Sequence, residues 1–152
     1  MSTTDTTTSP TTSPTTSPTT DQPAAARPHA AVDVQSVVDG YFRCWNATDA
    51  HGREQAVTRY WASEARLVDP AVDVTGHEAI VAAMAQFHET YPGSAFRLSG
   101  GIDAHHGIAR WGWEMIDAHG NTALDGLDVA LLGDDGTISY CVGFFGAALP
   151  PV

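Results

Sequence analysis

Three residues in this 152-residue chain carry polar chemistry where the surrounding pattern is apolar: Tyr41, Asp69 and Asp128. Tyr41 falls on the face shared by Val34, Val37, Val38, Phe42 and Trp45. Asp69 closes the run Leu67-Val68-Asp69-Pro70, and Asp128 shares the Gly126, Asp128, Ala130 face of a segment that is otherwise apolar. A carboxylate on a buried strand face is costly unless it is paired or protonated. An ionised acid can accept a proton, and a neutral acid or a phenol can donate a hydrogen bond to a developing oxyanion. The three types together suit proton transfer beside a carbonyl group. Each also has a plainer role. Tyr41 fits as a core aromatic whose hydroxyl finds a backbone partner, and Asp69 fits as the cap of the Pro70 turn. Asp128 faces water if the strand phase is shifted by one. Asp125, three residues earlier and therefore on the opposite face, then takes its place.

The elements that must position these groups are read from periodicity. The steps of three and four from Val34 to Trp45 predict a helix. A polar turn over Asn46 to Gly52 leads to a second helix carrying Val57, Tyr60 and Trp61. A strand over Ala65 to Asp69 follows, stopped by Pro70. Thr75 with Glu78 forms a capping-box pattern ahead of a third helix that presents Ile80, Met84, Phe87 and Tyr91 and ends at Pro92-Gly93. Four apolar-rich strands come next, Ala95 to Ser99, Ile108 to Ile116, Ala123 to Leu132 and Thr137 to Phe145. Hairpin connections are expected at Ala118 to Asn121 and Gly133 to Gly136. Three helices followed by a mainly antiparallel meander is an α+β layout, with helices covering one sheet face. Both alternating sets of Ala123 to Leu132 are largely apolar, so the outer face needs cover, and a homodimer through the sheet supplies it.

Composition narrows the classes further. Ser2 to Thr20 is almost entirely Thr, Ser and Pro, so residues 1–31 are expected to form a disordered tail and residues 32–149 one domain. The tail has neither the basic start nor the apolar run of a secretory signal. No apolar run reaches the roughly 18 residues that span a membrane. The formal net charge of −11 argues against nucleic acid. Cys44 and Cys141 lie in apolar surroundings and fit buried free thiols in a reducing cytoplasm. His105-His106 is a tandem pair whose side chains diverge on a strand, and His77 and His88 lack ligand spacing, so no metal is expected. Asp73 is expected to be an exposed loop acid.

The order of these features resembles a known family. Tyr41, then Tyr60-Trp61-Ala62-Ser63-Glu64-Ala65, Val68-Asp69-Pro70, Gly76-His77-Glu78-Ala79-Ile80 and Ala123-Leu124-Asp125-Gly126-Leu127-Asp128-Val129 resemble the ketosteroid isomerase pattern. More broadly, the chain from Val34 to Phe145 is similar to the SnoaL-like branch of the nuclear transport factor 2 superfamily, which includes polyketide cyclases. The resemblance implies a cone-shaped α+β fold enclosing a pocket, with no cofactor. It places Asp69 as the general base and Tyr41 and Asp128 as oxyanion donors, with Trp61, Trp111, Trp113, Cys141 and Phe145 lining the pocket. The implied activity is an isomerase or cyclase-type proton transfer on a small, largely apolar carbonyl compound; the alternative is non-catalytic binding of a hydrophobic molecule or partner. Limonene epoxide hydrolases share the fold but are set aside. Arg110 is followed by Trp111 and Gly112 instead of the required acid, and Thr137 to Phe145 contains none.

Overall fold

The computed structural model describes residues 32–146, together with Met1. The rest of the expected tail and residues 147–149 of the expected domain lie outside the described residues. Helix α1 (Val34–Asn46) begins where the Asp33 side chain accepts from Ser36 N, and α2 (Ala50–Tyr60) where Asp49 accepts from Gly52 N. Each carboxylate satisfies one of the amide groups that a helix start leaves open. The strands are β1 (Trp61–Val68), β2 (Asp73–Thr75), β3 (Ala95–His105), β4 (Ile108–Ile116), β5 (Thr122–Leu132) and β6 (Ile138–Phe145), with α3 (His77–Thr90) between β2 and β3.

One open, six-stranded sheet runs β2-β1-β6-β5-β4-β3. All neighbours are antiparallel except β1 and β6. The two expected hairpins close with Asp117 N on Asn121 O and Gly133 N on Thr137 O. Three helices lie on one face, where alternate residues of β4 (Ala109, Trp111, Trp113, Met115) and β5 (Gly126, Asp128, Ala130) are buried. The phase of β5 therefore puts Asp128 inside and Asp125 outside.

Four expectations are corrected. Trp61 opens β1 instead of ending α2, because its extended backbone starts the pairing with Ile138 of β6. The Thr75–Glu78 capping box does not form. Thr75 is committed to β2, paired with Arg66, and Gly76 at φ 87° is the N-cap without a side-chain bond. Asp73 sits on β2, a strand too short to leave a periodic trace, and is held by both Nε and a terminal nitrogen of Arg66 at 2.8 and 2.7 Å. β3 continues past Ser99 to His105, with a register shift between Ser99 and Ile102 that absorbs Gly100-Gly101 as a bulge.

Candidate active site

The site is assembled from the inner sheet face upward. Asp128 projects from the middle of β5 between Trp111 of β4 and Gly143 of β6, its register partners. It is 2% exposed, and both of its oxygens are bonded. Trp113 Nε1 donates to Oδ1 at 2.9 Å, and the Tyr41 hydroxyl meets Oδ2 at 2.5 Å. Burial pushes the Asp128 carboxyl up to about 6, the Tyr41 and Trp113 donors pull it back, and the charge of Asp69 adds a push upward. Burial, and next the charge of Asp128, raises the Tyr41 hydroxyl well above the usual phenol range.

Asp69 follows β1 and performs two tasks at once. Its Oδ1 accepts from Ala71 N at 2.6 Å and Val72 N at 2.9 Å, which fixes the turn through Pro70. Oδ2 has no hydrogen-bond partner among the described residues, and the side chain lines the same cavity as Tyr41 and Asp128. That cavity holds about 260 Å³, near the lower end of small-molecule sites, and its walls include Trp45, Phe87, Phe96, Trp113 and Phe145.

What joins the two acids is a residue without a side chain. A Cβ on Gly143 would lie 2.8 Å from Asp128 Oδ1 and 3.2 Å from Asp69 Cβ. Gly143 thus leaves room for the Asp128 carboxyl and for the base of the Asp69 side chain. Gly143→Ala should push Asp128 off its two donors and cost about 1–3 kcal/mol of stability, the usual range for overpacking. Urea denaturation against wild type checks this, with a cost near zero as the contrary result.

The described geometry has relatives. The SnoaL-like domain model matches residues 38–140. The chain belongs to the SnoaL-like family. A crystal structure of a SnoaL-like family protein from Agrobacterium tumefaciens, which carries a provisional isomerase label, shares 31% identity at a TM-score of 0.72 over 74% of this chain and 97% of that one. A SnoaL-like protein of unknown function from Burkholderia thailandensis shares 16% identity, TM-score 0.59, over 75% and 94% of the two chains. A provisionally named polyketide cyclase from Sinorhizobium meliloti shares 13%, TM-score 0.58, over 71% and 93%. The last two show the fold alone. No curated protein sequence matches the chain.

Within this SnoaL-like domain, Tyr41, Asp69, Asp128, Trp113 and Phe145 converge on the cavity, and Trp61, Trp111 and Cys141 do not reach it. All three are 0–1% exposed and lie in the core. Trp61 and Trp111 pack against the Tyr41 ring, with centroids 6.1 and 5.0 Å away, so they position Tyr41 instead of touching a ligand. Cys141 is fully enclosed, its thiol raised first by burial and then by the charges of Asp128 and Asp69. Cys44 is likewise buried and pushed up to about 12, so neither thiol is a nucleophile at neutral pH. His77 and His88 make structural bonds to the Trp61 and Trp45 carbonyls.

Sequence reasoning missed Gly143, Trp45 and Phe87 as lining residues. Signals existed for the first two. A glycine inside a strand marks a close approach, and Trp45 stands four residues after Tyr41 on the same helix face.

Proposed function

We propose that this SnoaL-like protein catalyses a cofactor-independent, isomerase or cyclase-type proton transfer on a small, largely apolar carbonyl compound. The observation that carries the reading is the convergence of Asp69, Asp128 and Tyr41 on one apolar cavity, with Gly143 between the acids. Asp69 Oδ2 takes the proton from the carbon beside the carbonyl; the C–H electrons move onto the carbonyl oxygen, and the proton returns at the same or a conjugated carbon. Tyr41, backed by Asp128, holds the oxyanion that forms in between. The provisional isomerase and cyclase labels of two relatives agree with this chemistry. Deuterium uptake from heavy water into a panel of small ketones tests it, with the Asp69 variant described below as control.

One observation favours a second reading, non-catalytic binding of a hydrophobic molecule. The cavity wall is aromatic on several sides, a lining that binds without needing chemistry. Tight ketone binding with no deuterium uptake would select that reading.

The outer face of the sheet carries Leu127, Val129, Leu131 and Phe144, the last two 43% and 54% exposed. A homodimer through this face is part of the proposal. Sedimentation of the full chain should give a dimer and Phe144→Asp a monomer; a wild-type monomer contradicts it. No helix among the described residues is long and apolar enough to cross a membrane. The two buried free thiols support a cytoplasmic location.

A further inference from the structure

The hydrogen bonds at Asp128 leave one place for its proton. Oδ1 accepts the Trp113 indole N–H at 2.9 Å and lies so near Gly143 that a Cβ there would stand 2.8 Å from it. Oδ2 faces the Tyr41 oxygen at 2.5 Å, a gap that holds a single hydrogen. When Asp128 is ionised, that hydrogen is the phenol's own, and Tyr41 points inward. When Asp128 is protonated, its O–H donates to the Tyr41 oxygen, and the phenol hydrogen is released toward the cavity that Tyr41 lines. Trp113 is distinct among the tryptophans here. The indole N–H groups of Trp45, Trp61 and Trp111 are buried and fall short of hydrogen-bond geometry, although Trp45 approaches the Tyr41 hydroxyl and Trp61 the Cys44 thiol.

We propose that Trp113 is a positioning residue: by occupying Oδ1 it confines the Asp128 proton to Oδ2, so that Tyr41 offers one outward hydrogen-bond donor, and only while Asp128 is protonated. The inference rests on the oxyanion reading above and narrows it. The ligand presents one acceptor oxygen, a ketone or its enolate, and not a two-oxygen carboxylate. The groups facing Asp128 are Tyr41 from α1, Asp69 from the turn after β1, Trp113 from β4 and Cys141 from β6. Of these, Asp69 is the charged neighbour, and it favours the protonated state. Above pH about 6, where the free protein holds Asp128 ionised, seating an acceptor oxygen therefore takes up one proton from solution.

Trp113→Phe keeps a ring in place and deletes the N–H, and Asp128→Asn mimics the protonated acid, its amide N–H donating to Tyr41 at every pH. Two readouts are used on the full chain. Carbon-detected titration of Asp128 without ligand should move upward by about one pH unit in Trp113→Phe, the loss of one donor to a charged acceptor. The second probe is acetophenone labelled with carbon-13 at the carbonyl. Its bound signal should sit downfield in wild type below pH about 6, stay downfield for some way above it because binding holds the proton on Asp128, return upfield only at still higher pH, and stay downfield throughout in Asp128→Asn. An Asp128 titration identical in wild type and Trp113→Phe overturns the role of Trp113 while leaving the oxyanion site standing. A bound carbonyl unshifted at every pH in wild type and Asp128→Asn overturns the donor site itself, and the inference with it.

Discussion

Asp69→Asn should lower deuterium uptake into a bound ketone by about 10²–10⁴-fold, the span a positioned general base contributes. The fold should survive the change. The Asn oxygen still accepts from Ala71 N and Val72 N, the two amides that Asp69 Oδ1 holds at 2.6 and 2.9 Å. What is lost is the carboxylate charge of a side chain that lines the cavity and whose Oδ2 has no hydrogen-bond partner among the described residues. A second effect follows, because the Asp69 charge helps burial to hold the Asp128 carboxyl up. In Asp69→Asn the Asp128 titration should shift downward. Unchanged deuterium uptake, measured by mass spectrometry across the same panel, would reduce Asp69 to the turn-capping role its sequence context also suits.

Removing the buried acid gives the other large effect. Asp128 carries a folded-state pKa of about 6 against an ordinary 3.8. The folded protein therefore holds a proton that the unfolded chain releases between those values. The stability it contributes is present below pH 3.8 and is lost as pH rises through about 6. A shift of that size corresponds to a penalty on the order of 3 kcal/mol at pH 7–8. Asp128→Asn should recover up to about that amount at pH 8 and almost none at pH 4. The exposed Asp73 and Asp135 and the half-buried Asp117 are held low by their donors and act in the opposite sense, losing stability as pH falls. They are common to both proteins, so the difference between variant and wild type isolates Asp128. Urea denaturation at the two pH values measures it. Equal destabilisation at both would show that the carboxylate is fully compensated by Tyr41 and Trp113. Recovery at pH 8 would instead mark Asp128 as a group kept at a cost in stability, the pattern expected of a functional acid.

The sequence carried the layers of the fold because each main element is long enough to repeat its period. The first helix shows its face from Val34 to Trp45, the alternation of β5 puts Asp128 on one face, and the family resemblance adds Trp111 and Trp113. Short or irregular pieces left no such trace. β2 has three residues, and the β3 bulge at Gly100-Gly101 reads locally as a strand end. At the Thr75–Glu78 pattern, pairing with β1 overrode a local capping preference. The site was legible as a set of residues on one face but not in depth. Alternation says which side of a strand a residue occupies, not how far along the cone it sits. That is why Trp113 reaches the cavity while Trp111, two residues earlier on the same face, packs under Tyr41. Gly143 contributes by absence, and its effect depends on a partner 15 residues earlier in the chain, brought opposite it by the β5–β6 register. A glycine inside a strand signals a close approach, and the folded arrangement shows what it approaches.

The proposed proton transfer requires two acids with divided roles in the cavity, Asp69 accepting a proton and Asp128 keeping one for the Tyr41 donor. The most direct measurement is a carbon-detected NMR titration of the Asp128 carboxyl in the wild-type, ligand-free protein. A single upward-shifted midpoint near pH 6 that moves downward in Asp69→Asn is expected. A midpoint at the ordinary value of 3.8, unmoved by the loss of Asp69, would contradict the divided roles.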